Sequence, residues 1–482
     1  MNAQPTSVTA SRSEQSLALP LVEQAIAQLI LDLEYDRIPE EALYGVRRLM
    51  EDQLGLQVGC VPLPWNRAVL QVTSASHAPG RSHVTLAGEE TFSAADAAFV
   101  NATYGHSFEY DDAHEVSFSH PGSTVVSAAI AIGEELGSSM REVVTGLVAG
   151  YEVYTRIGIL IGPGLLERGF HPHAVLANFG AAGVAAKMRG LDFEQTLNAL
   201  SIAMSHASGT TEYTSGGGSV KRVHAGIGTR NGIRAAEFAQ AGITGPAGFL
   251  TGSKGLASTF LQTRIPDSAA ALFALDQTFE ITRVCIKSYC CCFLNHAYID
   301  GAQRLSGRSD DIESVLLRIK PGADVVIGTR NEHAFDPQRL DHLQYSLPFQ
   351  FSLALLGYGN GFSTHHRYFD GKLDVGPGSD VAELAGKIVI QPTPELEEQY
   401  PGRWVADIEV RHADGTVEHV FVDDPSGTTE NPVTDLQLDD KFRDLTVEAL
   451  GEDGSENLRV AIAALEPDQP VAAFAALLQG SR

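Results

Sequence analysis

The segment HAVLANFGAAGVAAKM, His173–Met188, is half Ala or Gly and carries a single full charge, Lys187. A helix that is apolar and small on every side packs in the middle of a bundle rather than at its surface. Val125–Leu136, Arg141–Ile161 and Gly226–Ala241 have the same character. From about residue 18 to 265 the pattern predicts helix almost throughout. Ile38-Pro39-Glu40-Glu41 puts a proline at a first helical position with acids behind it. Asp192 with Gln195 forms a capping box that opens a helix carrying Leu197, Leu200, Ile202 and Met204. The small residues also suit a large buried helix–helix interface, which is compatible with a dimer.

Near residue 275 the character changes. Thr278–Ile286, Ile312–Ile319, Gly386–Pro392 and Arg403–Arg411 read as strands, with helices at His296–Leu305 and Leu347–Gly357 between them. Asp414-Gly415, between Val410 and Val417, signals a hairpin. Helix returns at Asp439–Leu450 and Asn457–Leu465. The expected fold is therefore mostly α, a large all-helical domain interrupted by a smaller α/β domain. Its divisions are a disordered tail at 1–16, a helical domain at 17–268, the α/β domain at 269–435, and helices at 436–482 that return to the helical domain. At 482 residues, two domains agree with the size at which single cores stop growing.

A net charge of −26 argues against a nucleic-acid partner, which needs a basic face. It does not argue against an anionic substrate, because surface charge is screened within about 8 Å at physiological salt while a pocket answers to its own lining. No apolar run reaches the roughly 18 residues of a membrane span. The polar start, Met1 to Ser16, lacks the pattern of a signal peptide, so the expected location is cytoplasmic with no membrane partner. Five cysteines, three of them adjacent (Cys290, Cys291 and Cys292), make a poor disulfide framework and suit a reducing compartment.

Four segments concentrate polar residues in apolar surroundings. The first runs from Phe108 through Glu109, Asp111, Asp112 and His114 to His120-Pro121-Gly122, and sets acids and an imidazole around a helix start that favours a bound anion. The second is Phe170-His171-Pro172-His173, read either as a proton-transfer histidine or as half of a metal site completed by the aspartates. No metal-binding spacing accompanies it, and the first reading is preferred. The third, Gly216-Gly217-Gly218 followed by Lys221, Arg222 and His224, lacks the spacing of a nucleotide loop and suits a carboxylate clamp. The fourth is Lys287-Ser288-Tyr289-Cys290-Cys291-Cys292, in which the lysine is a second clamp or an acid/base and the cysteines are small buried residues rather than nucleophiles.

Taken together and in this order, the four segments resemble the MmgE/PrpD family, which contains 2-methylcitrate dehydratases, cis-aconitate decarboxylases and iminodisuccinate epimerases. The likeness is strongest at Glu109–Gly122, Gly150-Tyr151-Glu152, Arg156, Gly169–His171, Lys221–Gly232 and Lys287–Cys292. The resemblance implies a helical domain with an α/β lid, a homodimer, and no metal or other cofactor. By position it implies catalytic histidines at His120 and His171, carboxylate-holding lysines at Lys221 and Lys287, and an acidic loop at Glu109, Asp111 and Asp112. His114, Arg222, His224 and Tyr289 complete the expected substrate-binding set. Three positions depart from the family pattern: Glu109 where Asp is common, Ala113 where Thr is common, and Phe349 where some members place a tyrosine.

The function implied is a metal-independent lyase, a carboxy-lyase or hydro-lyase, acting beside a carboxylate of a small di- or tricarboxylic acid. An epimerase using the same residues, and a non-catalytic polycarboxylate-binding protein, are the alternatives. A zinc hydrolase built on His171, His173 and the aspartates is a further one.

Overall fold

The computed structural model describes residues 19–305, 311–400 and 402–480. The tail expected at 1–16 lies outside the described residues. Helix accounts for 59% of the described residues and strand for 8%, in the mostly α, two-domain arrangement expected.

The helix Pro172–Met188 is buried from Pro172 through Ala186. It lies against Met140–Glu167 on one side and Val220–Gln240 on the other. Glycine makes the second contact possible. A Cβ on Gly232 would stand 2.4 Å from the Asn178 carbonyl oxygen and 2.7 Å from the Ala181 Cβ. These small residues are thus used in close contacts between helices of the chain. Met140–Glu167 is long and apolar enough to cross a membrane, but 89% of its apolar window is buried among these neighbouring helices.

The Asp192 capping box forms with Gln195, while Pro39 stands just ahead of the helix Glu40–Cys60 rather than inside it. A two-residue antiparallel pair, β1 (Ser82–His83) with β2 (Thr91–Phe92), interrupts the helical domain where no strand was expected.

The lid is a four-stranded sheet of β3 (Ile312–Ile319), β4 (Ile388–Pro392), β5 (Ala406–His412) and β6 (Val417–Val422), in the order β4-β3-β5-β6. β3 and β4 run parallel, the other pairs antiparallel, and Asp414-Gly415 turns β5 into β6. Helices His296–Arg304 and Leu347–Leu355 share a core with the sheet through Ile299, Phe351, Val315 and Ile408.

The segment 278–286 is not a strand. Its backbone is satisfied by a buried ion pair on Met140–Glu167 instead of by a ladder. Glu152 accepts the amides of Glu280 (3.2 Å) and Ile281 (3.0 Å), and Arg156 donates to the carbonyls of Leu272 and Thr278. Glu280–Arg283 consequently forms a 3₁₀ turn, and only Cys285 pairs as a strand would, with Ala113. Glu152 and Arg156, both within the family likeness, anchor the passage into the lid. The last long helix, Asp435–Ala464, kinks at Gly451 and packs back on Glu40–Cys60.

Candidate active site

The acidic loop follows the helix Ala94–Gly105 and turns sharply at Glu109, whose φ of 56° is unusual for a residue with a side chain. Asp112 then reaches the start of the helix Gly122–Leu136. Both its carboxyl oxygens accept the Gly122 amide at 3.0 Å, and Oδ2 accepts the Tyr151 hydroxyl at 3.2 Å. The helix N-terminus expected to attract a bound anion is therefore capped by the protein's own carboxyl. The same cap aims His120, whose Nδ1–H donates to the Asp112 carbonyl at 2.6 Å. Among the described residues its Nε2 makes no hydrogen bond. Burial lowers the His120 pKa to about 4, so the ring is neutral near pH 7.

His171 precedes the buried helix Pro172–Met188, and its Nδ1 meets Nδ1 of His224 at 2.9 Å. One of these two nitrogens must donate and the other accept, so their tautomers are coupled. Burial pushes His171 well below the ordinary histidine range and His224 down to about 4. His106 and His173 complete the group: the ring of His106 lies 4.4 Å from that of His173, 5.6 Å from His120 and 6.0 Å from His171. His106 donates to Asp111 at 2.6 Å. Burial opposes ionisation of Asp111, but the imidazoles of His106 and His120 outweigh it and hold the carboxyl well below its usual range.

Lys221 rises from the first turn of the helix Val220–Gln240, and Lys287 from the passage into the lid. Both converge on Glu109. Lys221 pairs directly with its carboxylate, while the Lys287 ammonium lies 3.8 Å from it and donates to the Glu109 carbonyl at 3.1 Å. Burial works against the Glu109 charge, yet the two lysines hold its carboxyl below the ordinary range. Tyr345 closes the group, accepting from Lys221 and donating to Glu109, each at 3.1 Å.

His120, His171, Lys221 and Lys287 line one cavity of about 380 Å³ between the helical domain and the lid, together with Glu109 and His114. Volumes of this order suit a small-molecule site. The lid is docked over it: Gln344 donates to the Phe108 carbonyl at 2.8 Å, and the Tyr110 hydroxyl to the Ser288 carbonyl at 3.2 Å.

Other residues expected at the substrate lie elsewhere. Asp111 and Asp112 sit behind His120 and His106, and His224 sits behind His171. Arg222 lies outside this cavity, stacked over Trp65 with Nε donating to the Ser107 carbonyl at 3.2 Å. The Tyr289 hydroxyl points away, to Asp300 at 2.5 Å and Gln303 at 3.1 Å. His114 does border the cavity, but its nitrogens are engaged by Ser117 and Glu280.

The zinc reading fares poorly on geometry. His173 directs Nδ1 to the Tyr154 hydroxyl at 2.6 Å and Nε2 toward Ser123, and among the described residues no three His, Cys, Asp or Glu side chains converge as a ligand set. The thiols of Cys290 and Cys291 are fully buried, and burial pushes them up, away from nucleophilic thiolate.

Sequence reasoning passed over three contributors. His106 follows an Ala-rich helix and carries no motif. Tyr345 supplies a lid hydroxyl four residues before Phe349, whose own ring packs in a lid cluster with Leu343 and Leu353. Lys441, in the run Asp439-Asp440-Lys441-Phe442, reads as a solvated helix charge yet is buried against Asp52.

Comparison with known proteins follows the same lines. Residues 24–268 match the MmgE/PrpD N-terminal domain and residues 289–467 the MmgE/PrpD C-terminal domain. A cis-aconitate decarboxylase of Aspergillus terreus is 30% identical over 320 residues, covering 62% of this chain and 63% of that protein. The chain thus spans just under two thirds of that relative's length. The cis-aconitate decarboxylase-like protein oryM of Aspergillus oryzae is 25% identical over 485 residues, covering 95% of this chain and 97% of its own length. The cis-aconitate decarboxylase of Mus musculus is 23% identical over 482 residues, covering 96% and 94%.

Proposed function

The chain belongs to the MmgE/PrpD family, and we propose that it is a carboxy-lyase acting on a small unsaturated tricarboxylate of the cis-aconitate type. One observation carries the reading. Two lysines and two histidines, contributed by four separate segments, face one cavity, and the lysines are already arranged around a carboxylate, that of Glu109. A substrate carboxylate meets the same two cations. The names of the relatives favour decarboxylation among the reactions open to such a site.

The chemistry asks three things of these residues. Lys221 and Lys287 hold carboxylates and offset the negative charge that develops when a C–C bond breaks. In the reaction proposed, the carboxylate on the CH₂ carbon leaves as CO₂. Its bonding pair forms a new terminal alkene, and the former alkene pair moves to the carbon beside the far carboxylate. That carbon takes one proton, so the trianion becomes the dianion of 2-methylidenebutanedioic acid. His120 or His171 delivers the proton at Nε2. Each ring is neutral in the free protein, so the donor gains its proton as the polyanion enters and its pKa rises. The docked lid keeps water from the carbanion-like species.

Proton NMR in heavy water tests this directly. Incubation with cis-aconitate should yield geminal vinyl protons and one deuterium in the new methylene group. Water loss from citrate or 2-methylcitrate would instead identify a hydro-lyase, and exchange into iminodisuccinate without a new alkene an epimerase. Tight binding without turnover of any of these acids would leave a binding protein.

A further inference from the structure

A third lysine borders the same cavity. Lys320 stands at the end of β3, just before the short lid helix Pro321–Ile327. Its neighbours are aromatic: the ammonium lies 2.7 Å from the centroid of the Tyr400 ring and 5.1 Å from that of Trp404. Lys221 and Lys287 are both engaged by Glu109, whereas the Lys320 ammonium makes no ion pair and no hydrogen bond among the described residues. Two acids also face the cavity, and each has another partner. Glu397 accepts the Gly322 amide at 2.9 Å, and Glu115 accepts the Cys285 thiol at 3.4 Å. Ring faces orient an ammonium but do not replace a counter-ion. Burial depresses the Lys320 pKa to about 8, and the Glu397 carboxylate, which does not contact the ammonium, only partly opposes it.

We infer that Lys320 receives the third carboxylate of a tricarboxylate held by Lys221 and Lys287, and so sets selectivity for tricarboxylates over dicarboxylates. The inference rests on the polycarboxylate reading of the cavity. With Tyr400 and Trp404 it makes the lid, rather than the helical domain, the part that selects the acid.

The test is calorimetric titration of the full chain with propane-1,2,3-tricarboxylate, and with glutarate and 2-methylsuccinate, which each lack one of its carboxylates. Wild type should prefer the tricarboxylate. Lys320→Met should weaken the tricarboxylate by roughly 10- to 100-fold, the range of one charge-assisted contact, and at least one dicarboxylate by less than about threefold. Lys320→Arg should restore most of the preference and guards against reading misfolding as lost recognition. Equal weakening of all three acids, no weakening, or no wild-type preference would each overturn the inference. Turnover of cis-aconitate, followed in parallel, separates it from the proposed function. Turnover without Lys320-dependent preference refutes the inference alone, and preference without turnover refutes the decarboxylase reading alone.

Discussion

The ammonium of Lys441 donates to the backbone carbonyl of Lys287 at 2.9 Å across a separation of 154 residues. It donates also to the Tyr110 carbonyl at 2.7 Å and pairs with Asp52 at 2.5 Å, both side chains being almost fully buried. The C-terminal helix thus clamps together the peptide that carries a cavity lysine and the loop that carries Glu109. Lys441 does not line the cavity of the candidate site, so its role is positioning.

Lys441→Met should leave Asp52 buried without its cation and cost about 3–5 kcal/mol, the usual penalty for breaking a buried pair on one side. Adding Asp52→Asn should recover part of that loss. Urea unfolding of the single and double variants checks it, and a single variant as stable as wild type would remove the clamp from the argument.

Lys287→Ala should lower turnover by on the order of 10²-fold or more while the protein stays folded, because the site loses a cation aimed at developing charge. Glu109→Gln should act in the opposite direction on binding. With the internal carboxylate gone, propane-1,2,3-tricarboxylate should bind about three- to tenfold more tightly, a gain below about 1.4 kcal/mol. Full activity in Lys287→Ala would refute its assigned role.

Binding of a tricarboxylate at pH 7.5 should draw on the order of one proton from solution, since a polyanion raises the pKa of a neutral imidazole beside it. His120, at about 4 in the free protein, is the expected acceptor. Titrations in phosphate and in Tris, whose ionisation enthalpies differ, count that proton. Uptake that persists undiminished in His120→Gln would move the role to another group.

The buried histidines should favour unfolding as acid is added. His120 and His224 titrate near 4 when folded, against about 6.5 for an unfolded histidine. Between those values the unfolded chain binds more protons, so stability falls as pH drops from about 6.5 toward 4, by about 1.4 kcal/mol per pH unit for each such ring. Buried carboxyls held above their usual range, such as Glu51 and Asp112, slope the opposite way, so the check is the difference in thermal midpoint between wild type and His224→Gln across this window; a difference independent of pH would contradict the buried, neutral ring.

Gly232→Ala should lower stability although alanine is the better helix former by about 1 kcal/mol. The added methyl meets the Asn178 carbonyl oxygen at 2.4 Å, and prising apart two close-packed helices costs about 1–3 kcal/mol, which offsets the propensity gain. A denaturation midpoint at or above wild type would show that the helices separate freely.

Much of the architecture was legible in the chain. Local patterns report burial, so the Ala- and Gly-rich segments appear as core helices, Ile312–Ile319 is the strand expected, and Asp414-Gly415 turns the hairpin. Thr278–Ile286 misled for a physical reason. Its β-branched and aromatic residues, interleaved with polar ones, look like a strand, but Glu152 and Arg156 take backbone groups there first.

By itself the sequence determined most of the elements and which residue types are available for chemistry, because periodicity, capping and turn preferences are local properties of the chain. Tertiary structure alone decided what those residues do. It turned Asp112 to a helix end, placed His224 behind His171, sent Tyr289 away, and brought Tyr345 and Lys320 to the cavity. A charged side chain looks the same in a sequence whether it meets water or a buried carboxylate. Only the packing of distant segments, such as Asp52 against Lys441, tells the two apart.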